Sequence, residues 1–360
     1  MRKGILSLLA VTTAAALSLT ACGDDGGDSG GSGEAKGKVG VILPDTASSA
    51  RWENFDRPYL QQAFKAAGIE SDIQNAEGSA QRFQTIADQM LTSGVTVMLI
   101  TGLDSNSAAA VQRKAQAQGV KTIDYDRLTL GGVADYYVSF DNVKVGATMG
   151  EGLQKCLGDK DANIVYLNGS PTDNNATLFA QGAHSVLDKV STYKKVAEQP
   201  VQDWKAEKAA TLFEQMWTEQ HGKIDGVLAA NDNLGNAVIS ILKKNQRAGK
   251  VPVTGQDATP QGLQNIMDGT QCMSVYKPSK QEADAAVKLA VALIKGEKGQ
   301  TTATSHDPVG KRDVPSVLLN PIGINKDNVK QVVDDGAVKA ADLCKGAYAA
   351  KCEAAGIKVQ

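Results

Sequence analysis

Short unbroken apolar runs recur along the chain, each followed by ten or more residues with helical spacing. Lys-Val-Gly-Val-Ile-Leu begins at Lys38, Val-Met-Leu-Ile occupies Val97–Ile100, and Lys-Thr-Ile-Asp-Tyr ends at Tyr125. Asn-Ile-Val-Tyr-Leu, Gly-Val-Leu-Ala-Ala and Val-Pro-Val-Thr-Gly follow, with helical patterns between them, as over 108–118 and 234–244. Runs of this kind read as strands buried on both faces, and their alternation with helices predicts parallel sheets covered by helices, an α/β chain. More than eight such units in about 290 residues fit one barrel or two doubly wound domains.

Open α/β sheets place ligands beyond the carboxyl ends of their strands. Those ends carry Arg51-Trp52, Asp126-Arg127, the segment Asn-Gly-Ser-Pro-Thr-Asp-Asn-Asn-Ala, Asn231-Asp232 and Gln256-Asp257, and Trp204 and Lys277 stand at further boundaries. No Ser–His or Cys–His pair and no glycine-rich phosphate loop accompanies them. His184, His221 and His306 are far apart and no C-x-x-C occurs, so zinc or redox chemistry is not expected, and no cofactor is. Asp accepts from hydroxyls, Arg and Lys donate, Asn does both, and an indole offers a flat wall for the C–H face of a ring. That set suits a free sugar. The plainer readings are that Trp52 covers the helix after it, that Asp126-Arg127 form an ion pair, and that Asn231 or Asp232 caps the helix near Leu234.

The amino end fixes the compartment. Met1-Arg2-Lys3 precedes an apolar run over 5–19 and then Leu19-Thr20-Ala21-Cys22, which resembles a bacterial lipobox with Cys22 as the lipidated residue. Residues 23–37 are nearly all Gly, Asp and Ser, a flexible tether. Without Arg2 and Lys3 the chain has 36 basic against 40 acidic side chains and no basic block, so nucleic acid is not an expected partner. The expected attachment to the membrane is the lipid alone, holding an extracytoplasmic body of about 320 residues, the size of two domains. Four further cysteines suggest disulfides. Cys344 and Cys352 are close, with Gly346 to turn the chain between them, and Cys156 with Cys272 follows by elimination.

From Lys38 to about Lys330 the stretches SSARW, YDRL, YYVSFDN, NGSPTDNNA, AANDN, GQDA and VYKP fall in an order that resembles the sugar-binding proteins of bacterial ABC importers. Within that family of type I periplasmic binding proteins they are most similar to the D-xylose-binding branch and its multiple-sugar (glucose, galactose, arabinose) relatives. The resemblance implies two lobes with a three-segment hinge, crossed near Asp141, near Lys277 and between Ser305 and Val314. The lobes would then be 38–141 plus 278–306 and 142–277 plus 307–340, with a C-terminal extension at 341–360. It implies a ligand set of Arg51, Trp52, Asp126, Arg127, Asn174 or Asn175, Trp204, Asn231, Asp232, Asp257 and Lys277. It also implies a monomer that is no enzyme, with a monosaccharide, first of all D-xylose, and ABC permease subunits as partners. Two other readings use the same residues. Sugar-responsive repressors share the fold but carry a helix-turn-helix where this chain has a signal and tether. An exported carbohydrate-active enzyme needs two carboxylates flanking a cleft, which Asp232 and Asp257 could imitate.

Overall fold

The computed structural model describes residues 37–359. The signal, the tether and Cys22 lie outside the described residues. The first lobe opens with β1 (Lys38–Leu43), α1 (Arg57–Ala66), β2 (Glu70–Asn75), α2 (Ala80–Thr92), β3 (Val97–Ile100), α3 (Ser105–Ala117), β4 (Lys121–Tyr125) and β5 (Tyr136–Phe140). The second lobe continues with α4 (Asn142–Leu157), β6 (Ala162–Asn168), α5 (Asn174–Leu187), β7 (Tyr193–Pro200), α6 (Ala206–Glu219), β8 (Gly226–Ala229), α7 (Asp232–Lys244), α8 (Pro260–Asp268) and β9 (Ser274–Tyr276). The chain then returns to the first lobe through α9 (Ser279–Lys295), β10 (Ala303–Asp307) and β11 (Arg312–Leu319), and leaves it again for β12 (Ile322–Ile324).

The first sheet runs β10-β11-β5-β4-β3-β1-β2 and is parallel except for β10. Its central strands β1, β3 and β4 are buried apart from the leading Lys38 and Lys121, as their apolar runs require. One face packs on α1 and α9 through Val39, Val41, Leu60, Phe64 and Ala286, the other on α2 and α3 through Ile42, Phe83, Met90 and Val111. The second sheet pairs β6 with β7 and β8 in parallel. Single bridges at Val227–Val253 and Gln256–Val275 extend it towards β9 and its antiparallel partner β12. Val-Pro-Val-Thr-Gly, expected as a full strand, therefore contributes one bridging residue. Against this sheet α4 and α5 cross almost backbone to backbone. A Cβ on Gly146 would sit 1.9 Å from the Phe179 carbonyl, and one on Gly182 would sit 2.0 Å from that of Val143.

The chain passes between lobes at Asp141 and at Lys277-Pro278. The third crossing is not between Ser305 and Val314. That stretch is a hairpin whose second strand, β11, pairs in parallel with β5 of the first sheet, so the chain leaves only after Leu319. The turn at Pro308-Val309-Gly310-Lys311 carries the Gly and Pro of a linker but reverses the strand instead. Segment 312–319 thus belongs to the first lobe. Disulfides join Cys156 to Cys272, linking α4 to the segment before β9, and Cys344 to Cys352. The C-terminal segment packs on α8 through Val332, Leu343, Cys344, Cys352 and Ile357. Among the described residues no helix is long and apolar enough to cross a membrane.

Candidate ligand-binding site

Loops at the carboxyl ends of both sheets converge on one interlobe cavity. Ser48, Ser49, Arg51 and Trp52 follow β1, and Asp126 and Arg127 follow β4. Asp173 ends the β6–α5 connection, Asn175 and Phe179 lie in the first turns of α5, and Trp204, Asn231, Gln256, Asp257 and Lys277 complete the wall. Caps hold several of these in place. Asp173 accepts from the Asn175 amide at the start of α5, and Asn231 accepts from the Leu234 amide at the start of α7. Gly169 has no side chain to collide with Trp204, since a Cβ there would lie 2.0 Å from the indole Cη2. Three wall residues hold left-handed backbone, Asp126 at φ 62°, Trp204 at 57° and Asp257 at 88°. Such conformations persist where surrounding contacts enforce them, commonly at ligand clamps.

The lobes are shut on one another here. Ser49 Oγ donates to Asp257 Oδ2 at 2.6 Å and Asn231 Nδ2 to the Ser48 carbonyl at 3.0 Å. Asn175 Nδ2 donates to the Asp126 carbonyl at 2.9 Å, and Arg127 Nε lies 2.9 Å from Asp173 Oδ2. The space left among these groups is about 20 Å³, enough for about one water. A ring-sized molecule does not fit this space unless direct interlobe contacts give way.

Charge in the wall is balanced, with Arg51, Arg127 and Lys277 against Asp126, Asp173 and Asp257. Arg51 is fully buried and donates to Asp56, Asp126 and Glu282 at 2.6–2.9 Å. Burial disfavours its charge, but Asp56, Asp126 and Glu282 outweigh that and raise its pKa well above the ordinary value. Burial likewise opposes the charge on Asp126, yet Lys277, Arg51 and Arg127 hold its carboxyl below the usual range. Burial raises Asp173, with Arg127 offsetting part of the effect. Lys277 Nζ lies 3.2 Å from Asp257 Oδ1 and 3.8 Å from Asp126 Oδ2, spanning both lobes. Three buried wall atoms have no hydrogen-bond partner: Arg127 Nε, Gln256 Oε1 and Asp257 Oδ1. Arg127 Nε is close to Asp173 but not aligned with it, and Asp257 Oδ1 receives charge from Lys277 but no directed bond. Native structures rarely leave such atoms unsatisfied, and these three belong to residues that line the cavity.

Of the expected ligand set, the cavity gathers Arg51, Trp52, Asp126, Arg127, Asn175, Trp204, Asn231, Asp257 and Lys277. Asp232 is not among them. It is fully buried behind Asn231 and accepts from Ser274, Gln271 and both the amide and hydroxyl of Thr259. Its neighbour takes the cap and the cavity, and the helix turn carries Asp232 to the opposite side. Of the alternatives Asn174 and Asn175, Asn175 faces the cavity, while Asn174 lines an adjoining crevice with Asp104 and Ser105 that shares Arg127 and Asp173 with it. Arg51 reaches the wall with four donor contacts already spent on carboxylates, which makes it the anchor of Asp126 more than a free donor. Trp52 is both wall and core. It is 3% exposed, packs in the first-lobe cluster, and lies under the guanidinium groups of Arg51 and Arg127 at 4.6 and 5.4 Å. Ser48, Ser49, Asp173, Phe179 and Gln256 were not expected. All but Phe179 stood inside the stretches SSARW, NGSPTDNNA and GQDA, and the cap signal before α5 could have singled out Asp173. Among the described residues no three His, Cys, Asp or Glu side chains are grouped as a metal site needs.

Two lobes closing on a cavity walled from both sides define a hinged binding protein. A periplasmic binding protein domain matches residues 39–298. The D-xylose-binding periplasmic protein of Escherichia coli is 34% identical over 310 residues, covering 85% of this chain and 92% of its own. The multiple sugar-binding periplasmic receptor ChvE of Rhizobium radiobacter is 32% identical, covering 86% and 93%. A solved ABC transporter solute-binding protein from Clostridium phytofermentans with bound β-D-glucose superposes with a TM-score of 0.79 at 28% identity, over 85% of this chain and 99% of that one. The chain belongs to the periplasmic binding protein family, with the two-lobed α/β fold of its type I members, and the family's proteins bind substrates and are not enzymes.

Proposed function

We propose that this chain is the sugar-capturing component of an ABC importer, binding an uncharged monosaccharide between its lobes, with D-xylose the first candidate. The observation that carries this reading is the pairing of Arg127 Nε from the first lobe with Gln256 Oε1 and Asp257 Oδ1 from the second, all buried and without hydrogen-bond partners in one cavity. A ligand with several hydroxyls, each donor and acceptor, satisfies all three, and only with the lobes closed. The three-to-three charge balance favours a neutral ring over a sugar acid or amine. Trp52 and Trp204 supply flat walls. D-xylose is preferred because relatives at 33–34% identity carry that name. A broader preference including D-glucose is the second reading, favoured by the multiple-sugar relatives and by the glucose-bound solved structures.

The loaded protein, a monomer, delivers its sugar to the permease, and Cys22 with its lipid holds it at the outer face of the cell membrane on the 23–37 tether. Titration calorimetry with xylose, arabinose, ribose, glucose and galactose tests the proposal. Tightest binding of xylose supports the narrow reading, comparable xylose and glucose affinities support the broad one, and no heat with any sugar rejects both.

A further inference from the structure

Outside the cavity, two first-lobe side chains reach the second lobe. After β1 the chain makes a π-helical turn over Trp52–Asp56 before entering α1. The first residue of that turn, Trp52, lines the cavity. The fourth, Phe55, packs against a cluster made wholly of second-lobe and C-terminal residues, among them Leu263, Ile324, Val332 and Leu343. One helical turn on, Tyr59 Oη donates to the Gly336 carbonyl at 3.3 Å. Burial raises the Tyr59 and Tyr276 phenols, and Asp335 adds to both, which places that carboxylate beside the same junction. The receiving segment is held firmly: Gln264 donates to the Leu343 carbonyl at 2.9 Å, Tyr348 to Asp268 at 2.8 Å, and Cys344–Cys352 closes its loop.

We propose that Phe55 and Tyr59 form a latch against the C-terminal segment 329–357, and that this latch sets how readily the lobes close and so how tightly every ligand is held. The proposal rests on the sugar-binding reading above. A contact made only in the closed arrangement multiplies the closed population, and apparent affinity follows that population whatever sits in the cavity. Trp52 and Phe55 share one turn, so a ring against the indole also steadies the turn that presents the latch. The C-terminal segment, which contributes no residue to the cavity wall, thereby gains a part in binding.

The test uses the full chain with Phe55→Ala and Tyr59→Phe, titrated with D-xylose and D-glucose, alongside sugar-free melting and small-angle scattering. Phe55→Ala should weaken both sugars by one common factor, about five- to thirtyfold, and Tyr59→Phe by about two- to fivefold. Sugar-free Phe55→Ala should show a larger radius of gyration than the unaltered chain. Unchanged affinities, factors that differ between sugars, or a lowered melting temperature with unaltered scattering and affinity would overturn the latch. If the unaltered chain binds neither sugar, the sugar-binding reading fails, and the scattering comparison still decides the latch.

Discussion

Arg127 Nε of the first lobe lies 2.9 Å from Asp173 Oδ2 of the second, an ion pair drawn across the cavity. With Nη1 of the same arginine on the Gly102 carbonyl at 3.1 Å, the guanidinium is fixed and its Nε remains without an aligned acceptor. Arg127→Ala should weaken sugar binding by about 2–4 kcal/mol, roughly thirty- to a thousandfold, because Asp173 and a ligand hydroxyl lose their donor in a dry site. Arg127→Lys should recover only part, since an ammonium cannot reproduce the planar fork. Equal affinities for Arg127→Ala and the unaltered chain in calorimetry would remove Arg127 from the site.

Trp52 carries two duties, so its truncation should register in two measurements. Its indole packs with Val41, Leu43 and Leu60 and donates to Ser48 Oγ at 3.1 Å, which predicts a stability loss of about 3–5 kcal/mol for Trp52→Ala by urea unfolding. Its place in the wall predicts weaker sugar binding as well, with Trp52→Phe keeping most of both. A variant that loses stability yet keeps full affinity would assign Trp52 to the core alone.

Asp124 and Asp232 make stability depend on pH in a defined sense. Burial pushes both up to about 7, against hydrogen bonds from Thr129 and Gln112 in one case and from Ser274, Gln271 and Thr259 in the other. In the unfolded chain they release their protons near 3.8, so between about 4 and 7 the folded chain alone holds these protons. The stability each contributes is full below about 4 and is lost as pH rises through 7, at most about 4 kcal/mol per group. Asp232→Asn removes this dependence. The stability difference between the unaltered chain and the variant should therefore shrink from pH 4.5 to pH 7.5. A difference that stays level over that range would mean a carboxylate ionised throughout.

Strand ends were legible because a buried parallel strand is an unbroken apolar run, as in β1 and β3, and the residue after it is positioned by the sheet. The edge strands β2 and β7 were not, since Glu-Ser-Asp-Ile-Gln-Asn and Tyr-Lys-Lys-Val-Ala-Glu-Gln-Pro face solvent and carry no such run. Within a loop the signal stops at the residue type. Asn174 and Asn175 are chemically identical, and only the helix phase starting at Asp173 decides which one meets the cavity. Asp232 failed for the same reason, one residue beyond a cap. The third crossing failed because a hairpin turn and an interlobe linker use the same Gly and Pro.

The proposed anchoring at Cys22 predicts that Cys22→Ala releases the protein to the medium or leaves its precursor uncut, since the sequence of 23–37 has no apolar side chain larger than Ala to hold a bilayer. Mature Cys22→Ala protein retained at the membrane would place the anchor elsewhere.

The most direct measurement is a pair of D-xylose titrations, one on the unaltered chain and one on Asp257→Ala. Asp257 is 8% exposed, accepts from Ser49 of the other lobe at 2.6 Å, and has Oδ1 without a hydrogen-bond partner, 3.2 Å from Lys277 Nζ. The account predicts saturable one-to-one binding to the unaltered chain and a loss of at least about tenfold in the variant, with sugar-free melting little changed. Saturable binding of equal strength to both chains would contradict a sugar held between the lobes.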